Sequence, residues 1–258
     1  MLLTDLSARP VIAHRGNSAH APENTFPAYD EALTLGADAL EFDVRLTRDD
    51  RAVVIHDPTV DRTTDGHGPV VDFDLAELRR LDAGARFSAD GGRTFPFRGQ
   101  GLVIPTLEEM LTRYRDTRLL IEVKIPEAVE ATRRLLERFG AVERTLVDST
   151  DDAAVAPFRG GTLATGASLA DVLRLMPSAI LGCAPRSLPY VALCIPRWYN
   201  GIPVPVSRLA RAARAAGSVT HVWTVNDPKA ARRLWRHGIQ GIITDDPGPM
   251  LRLREEGL

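Results

Sequence analysis

Two short stretches place acidic side chains where a hard cation could use them. In Leu40-Glu41-Phe42-Asp43-Val44 an extended chain puts Glu41 and Asp43 on one face. Apolar Leu40, Phe42 and Val44 take the other face. Leu120-Ile121-Glu122-Val123-Lys124 repeats the arrangement, with Glu122 and Lys124 sharing a face. Carboxylates gathered at a buried strand end repel one another and lose hydration, and a bound cation removes that penalty. All-oxygen ligands suit Ca²⁺ and Mg²⁺ alike. The bland alternatives are an exposed acidic pair on an edge strand and a plain Glu122–Lys124 ion pair.

Two histidines stand at similar places. Ile12-Ala13-His14-Arg15-Gly16 ends an apolar run with His14 and Arg15, and Val53-Val54-Ile55-His56-Asp57 ends another with His56. Histidine titrates near neutral pH and can act as acid or base. Lysine is rare: of 32 basic residues only Lys124 and Lys229 are not arginine. A retained lysine is a candidate for a compact point charge that a guanidinium cannot supply. Lys229, in an Asp-Pro-Lys helix start, reads as surface. Lys124 beside three carboxylates reads as functional, and with Arg15 and a metal it would cradle a phosphodiester anion.

Something must hold these groups together. Eight apolar runs alternate with helical stretches: Val11–His14, Ala39–Val44, Leu119–Lys124, Thr145–Asp148, Thr162–Thr165, Val191–Ile195, His221–Val225 and Gly241–Thr244. That alternation predicts a parallel sheet closed as a single (β/α)8 TIM barrel. Helices are expected near 24–35, 106–115, 127–139, 168–176, 206–216 and 228–237, several with N-terminal capping signals such as Thr106 with Glu109, Ser168 and Asp227-Pro228. Ala52–His56 reads as an extra strand in an antiparallel hairpin, because its link to the second strand is too short for a crossover. A small insertion follows this hairpin, over about 58–104, on the face where barrel sites form. Strands five and six are the most weakly marked.

The 258 residues form one domain in this reading, near the ~250 of such barrels. A net charge of −2 leaves no basic footprint for nucleic acid. No run approaches the ~20 apolar residues of a membrane span, so no stable membrane insertion is expected. Without a signal-peptide pattern the expected compartment is the cytoplasm. Two cysteines, Cys183 and Cys194, are too few for a disulfide framework and read as buried thiols. Oligomeric state is not written in the sequence. Among the other histidines, His221 shares a strand face with Trp223 and is a candidate supporting residue.

The ordered set His14-Arg15-Gly16, Pro22-Glu23-Asn24-Thr25, Gly36-Ala37-Asp38, Glu41-x-Asp43, His56-Asp57 and Arg62-Thr63-Thr64-Asp65-Gly66 resembles the glycerophosphodiester phosphodiesterase family. Glu122-x-Lys124, Trp223-Thr224-Val225-Asn226 and Gly241-Ile242-Ile243-Thr244-Asp245 extend the resemblance to about residue 247. It implies His14 and His56 as the acid–base pair. It implies Glu41, Asp43 and Glu122 as ligands of one divalent cation, Ca²⁺ or Mg²⁺. Arg15 and Lys124 would bind phosphate, and Trp223 would line the alcohol side of the pocket. The implied reaction is hydrolysis of a small glycerophosphodiester to glycerol 3-phosphate and an alcohol. The attacker would be water or the substrate's own glycerol hydroxyl. Two other readings compete. A lysophospholipase D-type enzyme would need an apolar path, which Phe87, Phe95 and Phe97 of the insertion could line. A binding protein that had lost catalysis should lack a site residue, and none is missing.

Overall fold

The computed structural model describes residues 1–257. In chain order the elements are β1 (Val11–His14), α1 (Phe26–Thr34), β2 (Ala39–Leu46), β3 (Ala52–Val54), α2 (Leu75–Leu78), α3 (Leu107–Arg113), β4 (Arg118–Val123) and α4 (Val129–Arg138). Then follow β5 (Thr145–Asp148), α5 (Asp152–Val155), β6 (Ala164–Thr165), α6 (Leu169–Leu181), β7 (Ala192–Pro196), β8 (Trp198–Tyr199) and β9 (Ile202–Pro203). The chain ends through α7 (Val206–Ala215), β10 (Val219–Trp223), α8 (Pro228–Arg236), β11 (Gly241–Thr244) and α9 (Pro247–Glu255).

The sheet runs β6-β5-β4-β2-β1-β11-β10-β7, all parallel, and a Gly166–Ala192 bridge joins its two ends. The expected eight-stranded barrel is therefore present. The hairpin is too: β3 pairs antiparallel with β2. Strands five and six fall where expected, with β6 only two residues long. Three pieces carry weak sequence signals and were not expected: α5, the β8–β9 hairpin and α9. The four residues of α5 and the two-residue strands of the hairpin are too few to show a period.

Alternation along the strands sorts the side chains. Leu40, Phe42, Val44, Leu119, Ile121 and Val123 face the helices and pack with Tyr29, Leu107 and Met110. Ile12, Leu120, Leu146, Val219 and Ile243 fill the barrel interior. Fully burying a side chain of this size contributes about 1.5–3 kcal/mol, so one outward strand face is enough to fix register. In that register Asp43 lies beside Glu122, and Glu122 beside Asp148, along one row of the sheet. The helix starts behave as their sequences require. Thr106 and Glu109 form a reciprocal capping box, Ser168 accepts from the Asp171 N–H, and Asp227 accepts from the Lys229 N–H.

Two expectations are corrected. Cys194 is buried, but Cys183 is exposed, because it follows the left-handed Gly182 that ends α6. His221 does not support Trp223. It sits two residues earlier on β10, and its Nε2–H donates to the Leu3 carbonyl at 2.8 Å, tying the amino-terminal turn to the barrel wall. Burial lowers the His221 pKa to about 4 from 6.5. Between those values the unfolded chain binds a proton that the folded chain refuses, so stability falls as pH drops through that window. The loss should reach about 2 kcal/mol by pH 5. Urea unfolding of wild type and His221→Gln at pH 7.5 and pH 5 checks this: the variant should lose that much less stability on acidification. Equal losses would mean that His221 is not buried neutral.

Candidate active site

The carboxyl ends of the strands gather His14, Arg15, Glu41, His56, Glu122, Lys124 and Trp223 around one pocket of about 130 Å³. Asp43 lies just beneath, fully buried. Every residue to which the family resemblance gives a role is thus in one place.

One oxygen from each of Glu41, Asp43 and Glu122 lies within 4.8 Å of the others. Asp43 holds its charge against burial because Arg15 Nε stands 3.2 Å from Oδ2 and Lys124 Nζ 3.6 Å from Oδ1, so its pKa falls below the usual carboxylate range. Asn24 Nδ2 also donates to Oδ2 at 3.0 Å, and the Tyr29 hydroxyl fixes Asn24 at 2.7 Å. Asp43 Oδ1 nevertheless has no hydrogen-bond donor among the described residues. Glu41 fares worse: burial and the neighbouring Asp43 raise its pKa to about 7. A buried, undonated oxygen and a carboxylate short of positive charge are what a divalent cation would satisfy, and the donor set is all oxygen. The residues present fit that group.

Lys124 Nζ pairs with Glu122 Oε1 at 2.9 Å as well as with Asp43. It therefore spans two acidic groups rather than balancing Glu122 alone. Arg15 holds Glu23 at 2.9 Å through Nη1.

The two histidines are held alike. His14 Nδ1 lies 2.6 Å from Asp245 Oδ1, and His56 Nδ1 lies 2.6 Å from Asp57 Oδ1. An ionised carboxylate only accepts, so each Nδ1 carries the proton and each Nε2 is left free of protein hydrogen bonds among the described residues. Asp245 is fixed in turn by Asn226 Nδ2 at 2.7 Å and the Ser18 hydroxyl at 3.1 Å. Asp57 receives Arg62 Nε at 2.6 Å, and Arg62 reaches on to Glu23 at 2.8 Å. A continuous chain therefore links His56, Asp57, Arg62, Glu23, Arg15 and Asp43. Burial opposes a charge on His14, but Glu41 and Asp245 outweigh it and raise its pKa.

Glu23, Asn24, Asp57, Arg62, Asn226 and Asp245 belong to the quoted motifs but carried no role in the sequence; Asp245 meets His14, Arg62 meets Glu23 and Asn24 meets Asp43 only in the fold, whereas Asp57 stands next to His56 in the chain. Sequence reasoning missed Asp148 altogether. This carboxyl lines the pocket from β5, and burial beside Glu122 and Glu41 raises its pKa well above normal. Its place at the end of an apolar strand, like Glu122, was the available signal.

The turn after β1 needs its glycine. Gly16 has φ +89°, and an added Cβ would lie 2.6 Å from the Ala28 carbonyl carbon. Gly16→Ala should cost about 2 kcal/mol or more, since backbone cannot yield as a side-chain tip does. A melting temperature within 1 °C of wild type would contradict this; a domain of this size shifts by roughly 2–4 °C per kcal/mol.

Residues 14–249 match the glycerophosphoryl diester phosphodiesterase family. The chain belongs to that family. A glycerophosphodiester phosphodiesterase of Caldanaerobacter subterraneus subsp. tengcongensis is 34% identical over 96% of this chain and 98% of its own length. Among solved structures, an Agrobacterium tumefaciens glycerophosphodiester phosphodiesterase superposes with TM-score 0.72 at 28% identity, covering 95% of this chain and 99% of its own. An Oleispira antarctica phosphodiesterase in complex with the product sn-glycerol-3-phosphate does so with TM-score 0.76 at 27% identity, covering 96% and 97%. For this phosphodiesterase family member, then, barrel, pocket and relatives point the same way. No helix among the described residues is long and apolar enough to cross a membrane.

Proposed function

We propose that this phosphodiesterase hydrolyses glycerophosphodiesters to glycerol 3-phosphate and an alcohol, with His14 and His56 as its acid–base pair. The observation that carries the mechanism is the matched pair of histidine–aspartate contacts on one pocket. The family places the reaction class, and the Oleispira relative holds the corresponding product. That product has no acyl chain, which favours this reading over a lysophospholipase D-type one. The aromatic side chains of the insertion also fit it: Phe87 packs on Phe97 at 5.4 Å and Arg98 covers Phe95, so they are occupied with one another.

The chemistry divides among the residues. Arg15 and Lys124 attract the phosphodiester and offset charge that builds on its oxygens. One histidine takes a proton from the attacking oxygen through Nε2, and the other gives a proton to the departing oxygen. Asp245 and Asp57 hold the rings in the tautomer this needs and stabilise the charged form. Glu41, Asp43 and Glu122 would hold one Ca²⁺ or Mg²⁺. When bound, that cation supplies Lewis-acid charge beside the phosphate. Trp223 walls the alcohol side.

The direct test is incubation with glycerophosphocholine, with and without Ca²⁺ or Mg²⁺, measuring glycerol 3-phosphate. Metal-dependent release supports the reading. No cleavage of any diester with either metal would overturn it.

A further inference from the structure

An apolar cavity of about 250 Å³ opens beside the catalytic pocket, and both are walled by Thr150, Cys194 and Trp223. Its outer walls come from α6, through Leu173 and Met176, and from the β8–β9 hairpin, through Tyr199 and Ile202. Leu173 is 60% exposed and Ile202 68% exposed. The proposed mechanism gives these side chains nothing to do. Large apolar groups left in water along one cavity mark a binding surface.

The position of this cavity says which part of a substrate it takes. Around the barrel, β7 and β10 stand opposite β2 and β4. Glu41, Glu122 and Lys124 occupy the β2–β4 side, and Cys194 and Trp223 the β7–β10 side. A glycerol unit brings two hydroxyls that need polar partners, and burying them against an apolar wall would be costly. Glycerol therefore belongs toward β2 and β4. The other substituent on phosphorus is directed past Trp223 into the apolar cavity.

Resting on the phosphodiesterase reading above, we propose that the chain favours glycerophosphodiesters whose alcohol carries a single unbranched alkyl chain, seated in this cavity during hydrolysis. In the net reaction the oxygen of water, directly or after attack by the substrate's own glycerol hydroxyl, bonds to phosphorus, and the bond from phosphorus to the alcohol oxygen breaks. The proton lost by the water is matched by one delivered to the departing alkoxide, giving glycerol 3-phosphate and the alkyl alcohol.

The test compares kcat/KM for glycerophospho-ethanol, -butanol, -hexanol and -octanol with that for glycerophosphocholine. Each early methylene should raise kcat/KM by about fourfold, the value of burying one in an apolar site. In Leu173→Asp and Ile202→Asp, both at exposed positions, the octanol-to-choline ratio of kcat/KM should fall about tenfold. A flat chain-length series with glycerophosphocholine still cleaved would overturn the proposal and leave the phosphodiesterase reading intact. So would chain-length dependence that neither variant alters. Chain-dependent cleavage of lysophosphatidylcholine alone would put the alkyl chain on the glycerol side and refute the orientation. Cleavage of no diester at all would remove the phosphodiesterase reading, and this proposal with it.

Discussion

Alanine at His14 or at His56 will lower kcat by at least ~10²-fold, the usual worth of a positioned acid or base. Each ring is fixed through Nδ1 by its own aspartate at 2.6 Å, lines the same pocket, and has an Nε2 free of protein hydrogen bonds among the described residues. On the proposed mechanism, loss of either would stop one of two proton transfers, so neither could substitute for the other. The double variant should therefore be little worse than the poorer single one, as for groups acting in a unit. The supporting aspartates should matter less. Asp57→Asn frees His56 from its tautomer restraint but leaves the ring; it also removes the charged partner of Arg62 on the His56 side, while Arg62 keeps its contacts to Glu23. Steady-state kinetics on glycerophosphocholine, with metal content measured on the same preparations, checks the set. Near-normal turnover in both histidine variants would end the assignment.

Much of this arrangement was legible in the chain. Glu41-x-Asp43 and Glu122-x-Lys124 could be read because a strand has a period of two, which assigns faces from local sequence alone. The same rule placed Phe42 and Ile121 under the helices. The scarcity of lysine pointed to Lys124, which does span Asp43 and Glu122. What stayed hidden were contacts between residues far apart in the chain. Asp245 meets His14 across 231 residues of sequence, and no local period announces that. His221 went wrong for a related reason. Its strand face was shared with Trp223 as expected, but which end of the barrel it served depended on where the amino-terminal turn would dock. The phenylalanines of the insertion offered an apolar path only for the lysophospholipase D-type reading, and no apolar cavity was expected elsewhere. The cavity lies beside α6 and the β8–β9 hairpin, in the stretch with the weakest pattern.

Removing the metal should abolish turnover, and Asp43→Asn should weaken cation binding by more than ~10-fold, beyond the low end known for mere supporting residues. Asp43 is completely buried and offers an oxygen that no donor among the described residues meets. The amide keeps the shape and removes the charge, leaving Glu41 and Glu122 to hold the cation with Arg15 and Lys124 still opposing it. A readout independent of activity is available. A ligand at 100 times its Kd stabilises a fold by about 2.7 kcal/mol, so Ca²⁺ or Mg²⁺ at that level should raise the wild-type melting temperature by roughly 5–10 °C. The same metal concentration should do much less for Asp43→Asn. Binding should also release a proton. Glu41, at about 7 without a cation, must ionise to serve as a ligand, so apparent affinity falls as pH drops below that value and levels off above it. Affinity independent of pH between 5 and 8 would remove Glu41 from the ligand set. Full activity in excess EDTA, with no metal in the purified protein, would remove the cation altogether and leave Arg15, Lys124 and the two histidines to do the chemistry alone.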